Sequence, residues 1–347
     1  MEPIGYSSMR DVAKLANVSV TTISRVIRNN PHVSPQTREK VLRAVKKLNY
    51  YVNEGARSII KKQTKTVGLG IFDISNPFFP PLVRGVENTL NKFGYSLVLY
   101  NTDEDHKKEE EFLRWMLEKR ADGIILAPTG DSNQYLKDIV KRNVPMVFVD
   151  REVEEISADV VCVDNTDGAF AGVEHLIKLG HRRIGVVACP RGVSTTEERI
   201  KGYLRALDVY GIEADETLLA VSKTSSESIM EATKKLSSIP DPPTAIFSCS
   251  NLVTLRILRV LKKLRKKIPQ DLAFVGFDDV EWGEMLSPPL TAICQPAYTI
   301  GAAAAQILLQ RLFKEGPEEK QKVVLKTDLV IRESCGAQLS LDYCRLK

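Results

Sequence analysis

Beyond residue 62, short apolar runs alternate with longer stretches in which apolar residues recur every three or four positions. The short runs predict strands at 67–72, 96–100, 123–127, 145–149, 160–163, 183–188, 244–248, 272–276 and 291–294. The stretches between them predict helices, among them 79–93, 106–120, 166–179, 197–210, 226–238 and 252–266. This alternation is typical of parallel sheets covered by helices on both faces. Because about 285 residues exceed what one such sheet normally organises, we expect two subdomains.

The first 50 residues instead show three short helical patterns. Ser8 and Asp11 can cap a first helix, whose apolar residues are Val12, Ala13, Leu15 and Ala16. After a break at Asn17-Val18-Ser19, a second helix from Thr21 to Asn29 separates an apolar face (Ile23, Val26, Ile27) from a polar one (Thr21, Thr22, Arg25, Arg28). A third helix opens at Ser34-Pro35 with an expected buried stripe of Val41, Leu42, Val45 and Leu48. Two helices with a short break between them form a helix-turn-helix, whose second helix fits a DNA major groove.

Charge separates the same two parts of the chain. Residues 1–62 carry 12 Lys and Arg against 4 Asp and Glu, whereas the whole chain has a net charge of +5, which leaves −3 for the remainder. A small basic unit on a mildly acidic core indicates a polyanion as the partner of that unit. A solvated charged face is the alternative, and the helical pattern argues against it.

Four segments carry a more specific signal: MRDVAKLANVSVTTISRVI at 9–27, DISNPFF at 73–79, HLIKLGHRRIG at 175–185 and VGFDD at 275–279. In this order they resemble the LacI/GalR family of bacterial transcription regulators, over about residues 8–335. The resemblance implies an N-terminal all-α helix-turn-helix domain with a hinge helix. It also implies an α/β core of the periplasmic-binding-protein-like (type I) fold, built from two doubly wound parallel-sheet subdomains.

The expected domain boundaries follow from this fold. Residues 1–49 form the helix-turn-helix domain and 50–62 the hinge helix and linker. The N-terminal core subdomain comprises 63–163 and 293–322, the C-terminal core subdomain comprises 164–292 and 323–335, and 336–347 is a tail. The chain is expected to cross between the subdomains near 163–165, 290–295 and 321–325.

By the same resemblance, the second helix of the basic unit reads DNA. Val20, Thr21 and Arg25 would face base edges, and Arg25 can donate two hydrogen bonds to a guanine. Contacts to phosphates, or an orienting role, are implied for Thr22, Ser24, Asn29 and His32. For Ser24, the alternative is an ordinary position on the helix surface without a role in DNA binding.

Residues 53–60, NEGARSII, resemble the family's hinge, which folds when two protomers meet over DNA. DNA contacts are implied for Asn53, Ala56, Arg57 and Ile59. Ile59 occupies the position of an apolar wedge that unstacks the central base step, and an ordinary buried residue is its alternative. Val52 stands where the family usually has Pro, and Gly55 costs about 1 kcal/mol relative to Ala in a helix. Both changes predict a less ordered hinge in the absence of DNA.

Polar residues at strand ends predict a ligand site, because open α/β sheets bind ligands beyond the carboxyl ends of their strands. The candidates are Asp73, Asn76, Phe78, Phe79, Asp103, Asp150, Arg151, Arg191, Ser250, Asn251, Asp278 and Gln295. The resemblance adds Arg199 and supports Asp278 as effector contacts, which suits a small sugar-like ligand. Arg191, Lys223 and the absence of an acid at Leu252 favour an anionic sugar acid or sugar phosphate. For Asp150, turn chemistry at a strand end is an alternative.

Other function classes find little support in the sequence. No apolar run of about 18 residues and no signal peptide is present, so we expect a cytoplasmic protein. The six cysteines are scattered, without CxxC spacing, and the histidines are isolated, so neither a metal nor a cofactor is expected. Nucleophile elbow, phosphate loop, HExxH and dinucleotide motifs are absent, which argues against an enzyme on the same scaffold.

The sequence therefore predicts a homodimeric DNA-binding regulator, most simply a repressor of carbohydrate-utilisation genes, controlled by a small effector bound between the core subdomains. A regulator controlled by a partner protein remains an alternative. Whether the effector releases or promotes operator binding is not determined by the sequence.

Overall fold

The computed structural model describes residues 7–27, 29–50, 63–130, 134–153, 155–222 and 225–337. The chain divides into two compact units, Met1–Thr64 and Lys65–Lys347. Nearly all of the predicted hinge and most of the predicted tail lie outside the described residues.

The first unit contains helices α1 (Met9–Ala16), α2 (Val20–Ile27) and α3 (Pro35–Lys47). A capping box begins α1: the backbone N–H of Ser8 donates to Asp11 at 2.8 Å, and the backbone N–H of Asp11 donates to the Ser8 hydroxyl at 3.3 Å. Asn17 ends α1 in the left-handed region with φ 51°, and Ser19 caps α2 by accepting from the Thr22 N–H at 3.1 Å. The predicted helix-turn-helix is therefore present, with α2 beginning one residue earlier than predicted.

The core of this unit packs one face of each helix together. Its buried members are Val12, Ala13, Ala16, Ile23, Val26, Val41, Ala44 and Tyr50. The prediction for Leu42 is wrong, because its side chain is 54% exposed and Ala44 takes the buried position one turn after Val41. Leu42 lies about 100° around the helix from Val41, which carries it off the buried face.

The second unit alternates strands and helices as predicted. Its strands are β1 (Thr66–Ile71), β2 (Ser96–Asn101), β3 (Gly123–Leu126), β4 (Met146–Val149), β5 (Asp159–Val163), β6 (Ile184–Ala188), β7 (Leu219–Val221), β8 (Ala245–Ser248), β9 (Ala273–Phe277), β10 (Thr291–Cys294), β11 (Lys322–Leu325) and β12 (Asp328–Val330). Its helices are α4 (Phe79–Asn91), α5 (His106–Glu118), α6 (Gln134–Lys141), α7 (Asn165–Lys178), α8 (Ser194–Val209), α9 (Ser226–Ser238), α10 (Asn251–Lys263) and α11 (Ala297–Phe313). Short 3-10 helices span Glu216–Leu218 and Glu281–Met285.

Within the described residues these strands form two six-stranded sheets. The order is β11-β5-β4-β3-β1-β2 in the first sheet and β12-β10-β9-β8-β6-β7 in the second. All neighbours are parallel except β10 and β12, which are antiparallel. Apolar clusters cover both faces of each sheet, which confirms the predicted pair of doubly wound subdomains.

The strand pairings show where the chain passes between the sheets. The first passage follows β5, the second follows β10 and the third follows β11. The expected boundaries at 292/293 and 322/323 fall inside β10 and β11. Ile293 pairs with Phe277 of the second sheet, and Val324 pairs with Cys162 of the first, so the pairings place these crossings two or three residues later.

Close helix packing holds the N-terminal subdomain together. A Cβ atom at Gly85 of α4 would lie 2.1 Å from the carbonyl oxygen of Tyr298, and one at Gly301 of α11 would lie 2.0 Å from that of Leu82. The two helices therefore pack together at these glycines more closely than any side chain at either position would allow. This contact fixes α4, which follows the loop that carries Asp73, Asn76 and Phe78 to the candidate site.

Candidate functional site

The exposed face of α2 carries the side chains predicted to read base edges. Val20 is 43% exposed, and Thr21 and Arg25 are also exposed, while Ile23 and Val26 on the opposite face are buried. The helix thus presents a polar, cationic surface held rigid by its buried face. Such a surface can enter a major groove.

The residues predicted to contact phosphates differ in their exposure and in their hydrogen-bond partners. The Thr22 hydroxyl lies 2.9 Å from that of Ser19, and Ser24 is half-buried. Asn29 accepts from the guanidinium of Arg38 at 2.5 Å, so its side-chain oxygen ties the end of α2 to α3. His32 is exposed in the same turn. Asn53, Ala56, Arg57 and Ile59, the predicted hinge contacts, lie outside the described residues.

A cavity of about 340 Å³ lies where the carboxyl ends of the two sheets face each other. This volume is near the lower end of the range of about 300–1,000 Å³ that is typical of small-molecule pockets. The predicted residues that line it are Asp73, Asn76, Phe78, Phe79, Asp103, Asp150, Arg151, Arg199, Ser250, Asp278 and Gln295. Both subdomains contribute, because Asp73 and Asp150 follow strands of the first sheet and Asp278 and Gln295 follow strands of the second.

Two predicted site residues are not among those that line the cavity. Arg191 forms an ion pair with Glu197 at 2.5 Å and faces a separate surface depression beside α8. It stands in the turn before α8, and the acid in the first turn of that helix draws it away from the cavity. Asn251 is buried behind the wall, where its amide nitrogen donates to Asn76 at 2.7 Å. This bond joins the two subdomains.

Arg199 is fixed by several contacts at the cavity wall. Its Nε donates to Asn165 Oδ1 at 2.8 Å, its Nη1 donates to the carbonyl of Cys249 at 2.6 Å, and the guanidinium lies 3.7 Å from the centre of the Phe277 ring. These contacts immobilise the group and leave Nη2 3.9 Å from Oδ1 of Asp278. That separation is longer than a direct hydrogen bond.

Arg151 is held at the cavity wall in a similar way, on the other subdomain. Its guanidinium lies 3.6 Å from the centre of the Phe72 ring and donates to Glu104 at 2.7 Å. The Nε atom is buried without a hydrogen-bond partner among the described residues, 3.7 Å from Oδ2 of Asp150. A donor held in this way can donate to a ligand oxygen without first breaking an internal hydrogen bond.

Two acidic residues face the cavity from unusual backbone conformations. Asp150 has φ 67° and Asp278 has φ 72°, in the left-handed region that few residues other than Gly adopt. Burial raises the pKa of Asp150 to about 6, against the opposing effect of Arg151 and Arg199. Gln295 donates to Asp278 at 2.5 Å, and its own side-chain oxygen is buried without a partner in the described part of the chain.

Further lining residues were not predicted from the sequence. They are Phe72, Glu104, Cys189, Thr195, Thr196, Cys249, Leu252, Val253 and Arg256. Helical spacing could have found some of them, because Thr195 precedes Arg199 by four residues on α8 and Leu252 precedes Arg256 by four residues on α10. The remainder adjoin strand ends that already supplied candidates.

The cavity as a whole carries more carboxylates than cations. Its acidic residues are Asp73, Asp103, Glu104, Asp150 and Asp278, and its cations are Arg151, Arg199 and Arg256. Phe72, Phe78 and Phe79 form an apolar wall, with edge-to-face contacts of 5.1 and 5.2 Å between ring centres. Paired donors and acceptors beside an aromatic wall suit a ligand with both hydroxyl groups and an apolar face.

The described residues were also compared with the requirements of a metal site and of a membrane-spanning helix. Within the described ranges, no cluster of three or more His, Cys, Asp or Glu side chains could hold a metal ion. In the same ranges, no helix has the length and apolar character needed to cross a bilayer.

Comparison with known proteins assigns the chain to a family. A model of the lacI family of bacterial regulatory proteins matches residues 8–53, and a periplasmic binding protein-like domain matches residues 173–335. The ribose operon repressor of Halalkalibacterium halodurans is 36% identical over 328 residues, which cover 94% of this chain and 97% of that repressor. The chain belongs to the lacI family of bacterial regulatory proteins.

Solved structures of the family agree with the fold described above. The transcriptional regulator CelR in complex with cellobiose is 33% identical, with a TM-score of 0.72, and the match covers 94% of this chain and 99% of CelR. The Lac repressor dimer bound to operator and the anti-inducer ONPF is 26% identical, with a TM-score of 0.83 and coverage of 95% and 99%. As a lacI family member with repressors as relatives along nearly its whole length, this chain is a DNA-binding transcription regulator and not an enzyme.

Proposed function

We propose that this lacI family regulator is a repressor of carbohydrate-utilisation genes that responds to a small neutral sugar bound in the cavity. The observation that carries the proposal is the arrangement of Arg199 and Asp278 at 3.9 Å, inside a cavity of monosaccharide scale. The relatives add support, since one is a ribose operon repressor and another was solved with cellobiose.

A sugar hydroxyl fits the space between these two side chains. A hydroxyl both accepts and donates, so one group can accept from Nη2 of Arg199 and donate to Oδ1 of Asp278. Across the cavity, Nε of Arg151 offers a second buried donor, and Asp150 offers a charged acceptor when it is ionised. The Phe72, Phe78 and Phe79 wall can pack against the C–H face of the sugar ring.

The cavity supports a neutral ligand better than the anionic one expected from the sequence. Arg191 pairs with Glu197 away from the cavity, so it does not supply the cation on which the anionic expectation partly rested, and Lys223 lies outside the described residues. Five carboxylates against three guanidinium groups would repel a carboxylate or phosphate. Arg151, moreover, already donates to Glu104.

The proposed mechanism couples the cavity to the operator through a homodimer. Two α2 helices would enter successive major grooves, with Arg25 at a guanine and Ile59 from each hinge at the central base step. A ligand that contacts both subdomains would change their relative position and so the geometry of the two hinges. Coupling between such sites commonly amounts to about 1–3 kcal/mol. Because the protein would act on operator DNA, we infer that it works in the cytoplasm.

Calorimetric titration of the full chain with neutral pentoses, neutral hexoses and their acid and phosphate derivatives tests the effector class. We expect a neutral sugar to bind, with its derivatives at least about tenfold weaker because each brings a charge to an acidic cavity. Tight binding of a sugar acid or phosphate, with the neutral sugars inert, would contradict the neutral assignment. It would leave the family membership unaffected.

A further inference from the structure

The side chain of Asn165 joins Arg199 to Glu198. Its Oδ1 accepts from Nε of Arg199 at 2.8 Å, and its Nδ2 donates to Oε2 of Glu198 at 2.8 Å. Asn165 is only 1% exposed and is not among the residues that line the effector cavity. Of the two side chains that it bonds, Arg199 is the one that lines the cavity. Any effect of Asn165 on a bound ligand would therefore pass through Arg199.

The chemistry of these two neighbours suits an amide at position 165. A guanidinium only donates hydrogen bonds and a carboxylate only accepts them, so the group between them must accept at one end and donate at the other. The same requirement fixes the orientation of the Asn165 amide, because an exchange of its oxygen and nitrogen would lose both bonds. Glu198 thus holds the amide in the position that Arg199 needs.

A second arginine of this region shows what a direct contact with an acid does. Arg191 pairs with Glu197 at 2.5 Å and lies outside the cavity. At Arg199, by contrast, the neutral amide of Asn165 stands between the guanidinium and Glu198. The carboxylate therefore orients the arginine through a neutral group and does not draw it out of the cavity wall.

Asn165 also lies where two passages between the subdomains meet. It is the first residue of α7, just after β5 ends at Val163, and its Nδ2 lies 3.4 Å from the carbonyl oxygen of Val163. The intervening Asp164 donates its backbone N–H to the carbonyl of Leu325, the last residue of β11, at 3.0 Å. A displacement of Arg199 would therefore reach both passages through short contacts.

We propose that Asn165 is a positioning residue for the effector. It holds Arg199 in the geometry that binds the ligand, and it connects that geometry to the passages between the subdomains, while Glu198 orients its amide. The inference rests on the proposed function, because it requires a ligand that contacts Arg199 in the cavity. It does not depend on the charge of that ligand.

The test starts from calorimetric titration of the full chain with neutral pentoses, neutral hexoses and their acid and phosphate derivatives. The compound that binds the wild type best is then titrated into the variants. Asn165→Leu removes both hydrogen bonds at nearly constant size, and Glu198→Leu removes the bond that orients the amide. Glu198→Gln keeps an acceptor for Asn165 without the charge. Asp208→Leu is the matched control, because it removes an acid from an exposed position of the same helix, α8.

We expect Asn165→Leu to lose at least about tenfold in affinity and Glu198→Leu at least about threefold, whereas Glu198→Gln and Asp208→Leu stay within about twofold of the wild type. In an Arg199→Ala background, Asn165→Leu should cause no further loss, because the residue that it positions is gone. A purely structural role of Asn165 would instead lower the affinity by the same factor in both backgrounds.

Operator titrations at saturating ligand measure the connection to the passages between the subdomains. We expect the operator affinity of Glu198→Leu to change less on ligand binding than that of the wild type, and Glu198→Gln to respond fully. Melting curves verify that the variants are folded. The two Glu198 variants decide the question if Asn165→Leu does not fold.

Equal ligand affinities of Glu198→Leu and Glu198→Gln would overturn the proposal. So would an equal loss from Asn165→Leu in both backgrounds, or a full operator response in Glu198→Leu. If a sugar acid or phosphate binds best, the proposed neutral effector is wrong, and the same variants still test Asn165 with that compound. If none of the compounds binds the wild type, both proposals fail.

Discussion

Nη2 of Arg199 lies 3.9 Å from Oδ1 of Asp278, while other atoms of the same guanidinium are held by Asn165 and Cys249 at 2.8 and 2.6 Å. The arginine is thus immobilised by neutral acceptors, and its contact with the acid is left long enough for a ligand atom to enter. An arginine bonded directly to its acid would first have to break that bond. This preorganisation reduces the free energy cost of binding.

Replacement of Arg199 by Ala should therefore weaken effector binding strongly. We expect a loss of about 1–3 kcal/mol, because Asp278 and a buried ligand hydroxyl both lose a partner. Calorimetry measures the affinity, and melting curves monitor the fold. Arg191→Ala is the matched control, since Arg191 lies outside the cavity, and it should leave the affinity unchanged. An equal effect of both substitutions would remove Arg199 from the site.

Effector binding should depend on pH through Asp150. Burial raises the pKa of Asp150 to about 6 in the folded protein. A sugar hydroxyl that donates to the ionised carboxylate lowers this pKa on binding, so affinity should be full above pH 6 and fall as the pH drops through it. Titrations at several pH values test this, and the Asp150→Asn variant should lose the dependence. A profile that is the same in both proteins would contradict this role.

The raised pKa of Asp150 also has a consequence for stability. The folded state binds the proton more tightly than the unfolded chain, whose value is near 3.8. Ionisation therefore destabilises the fold above about pH 6, and the penalty disappears below about pH 3.8. Melting temperatures of the wild type and of Asp150→Asn should differ at neutral pH, with the variant higher, and converge in acid.

Arg25 should contribute specificity to operator binding. It is exposed on α2, and a bidentate contact to guanine is worth about 1–3 kcal/mol of discrimination. Arg25→Ala should lower operator affinity by about that amount and relax the preference at one base pair in each half-site. Lys40→Ala, an exposed position on α3, serves as the control and should preserve base preference. Binding measured against a set of operators with single base changes decides between these outcomes.

Ile59, outside the described residues, is predicted to act as a wedge in the minor groove. Ile59→Ala should weaken binding to the operator much more than binding to unrelated DNA, because the wedge contributes where a flexible central step, such as CpG or TpA, can kink. Operator bending by the two proteins is the direct measurement. If both bend the operator equally, Ile59 has no part in the mechanism.

Much of the fold was predictable because its signals are local and repeated. Each predicted strand and helix of the core is present within three residues of its expected ends. The connections between the subdomains were harder. Strands β11 and β12 have four and three residues with half-buried or exposed side chains, so neither gives a clear apolar run. Their membership of a sheet depends on pairing with distant strands, which a local pattern does not contain.

The candidate site was predictable where its residues adjoin strand ends. Asp150 and Asp278 follow buried strands directly and Asp73 follows one after a single residue, and all three lie where the carboxyl ends of the two sheets face each other. Arg256 was missed because it lies within α10, five residues after its start, and reaches the cavity from the side of the helix. Arg191 lies away from the cavity because it pairs with Glu197 in the first turn of α8. This contact depends on how the turn before α8 folds, which the strand-end pattern does not contain.

Operator binding in the presence and absence of a neutral sugar tests the whole account most directly. A fluorescent operator is titrated with the wild type and with Arg199→Ala, each with and without the sugar that calorimetry identifies. We predict that the sugar changes the operator affinity of the wild type by about tenfold or more, while Arg199→Ala binds the operator normally and does not respond. A wild type whose operator affinity is the same with and without bound sugar would contradict the account.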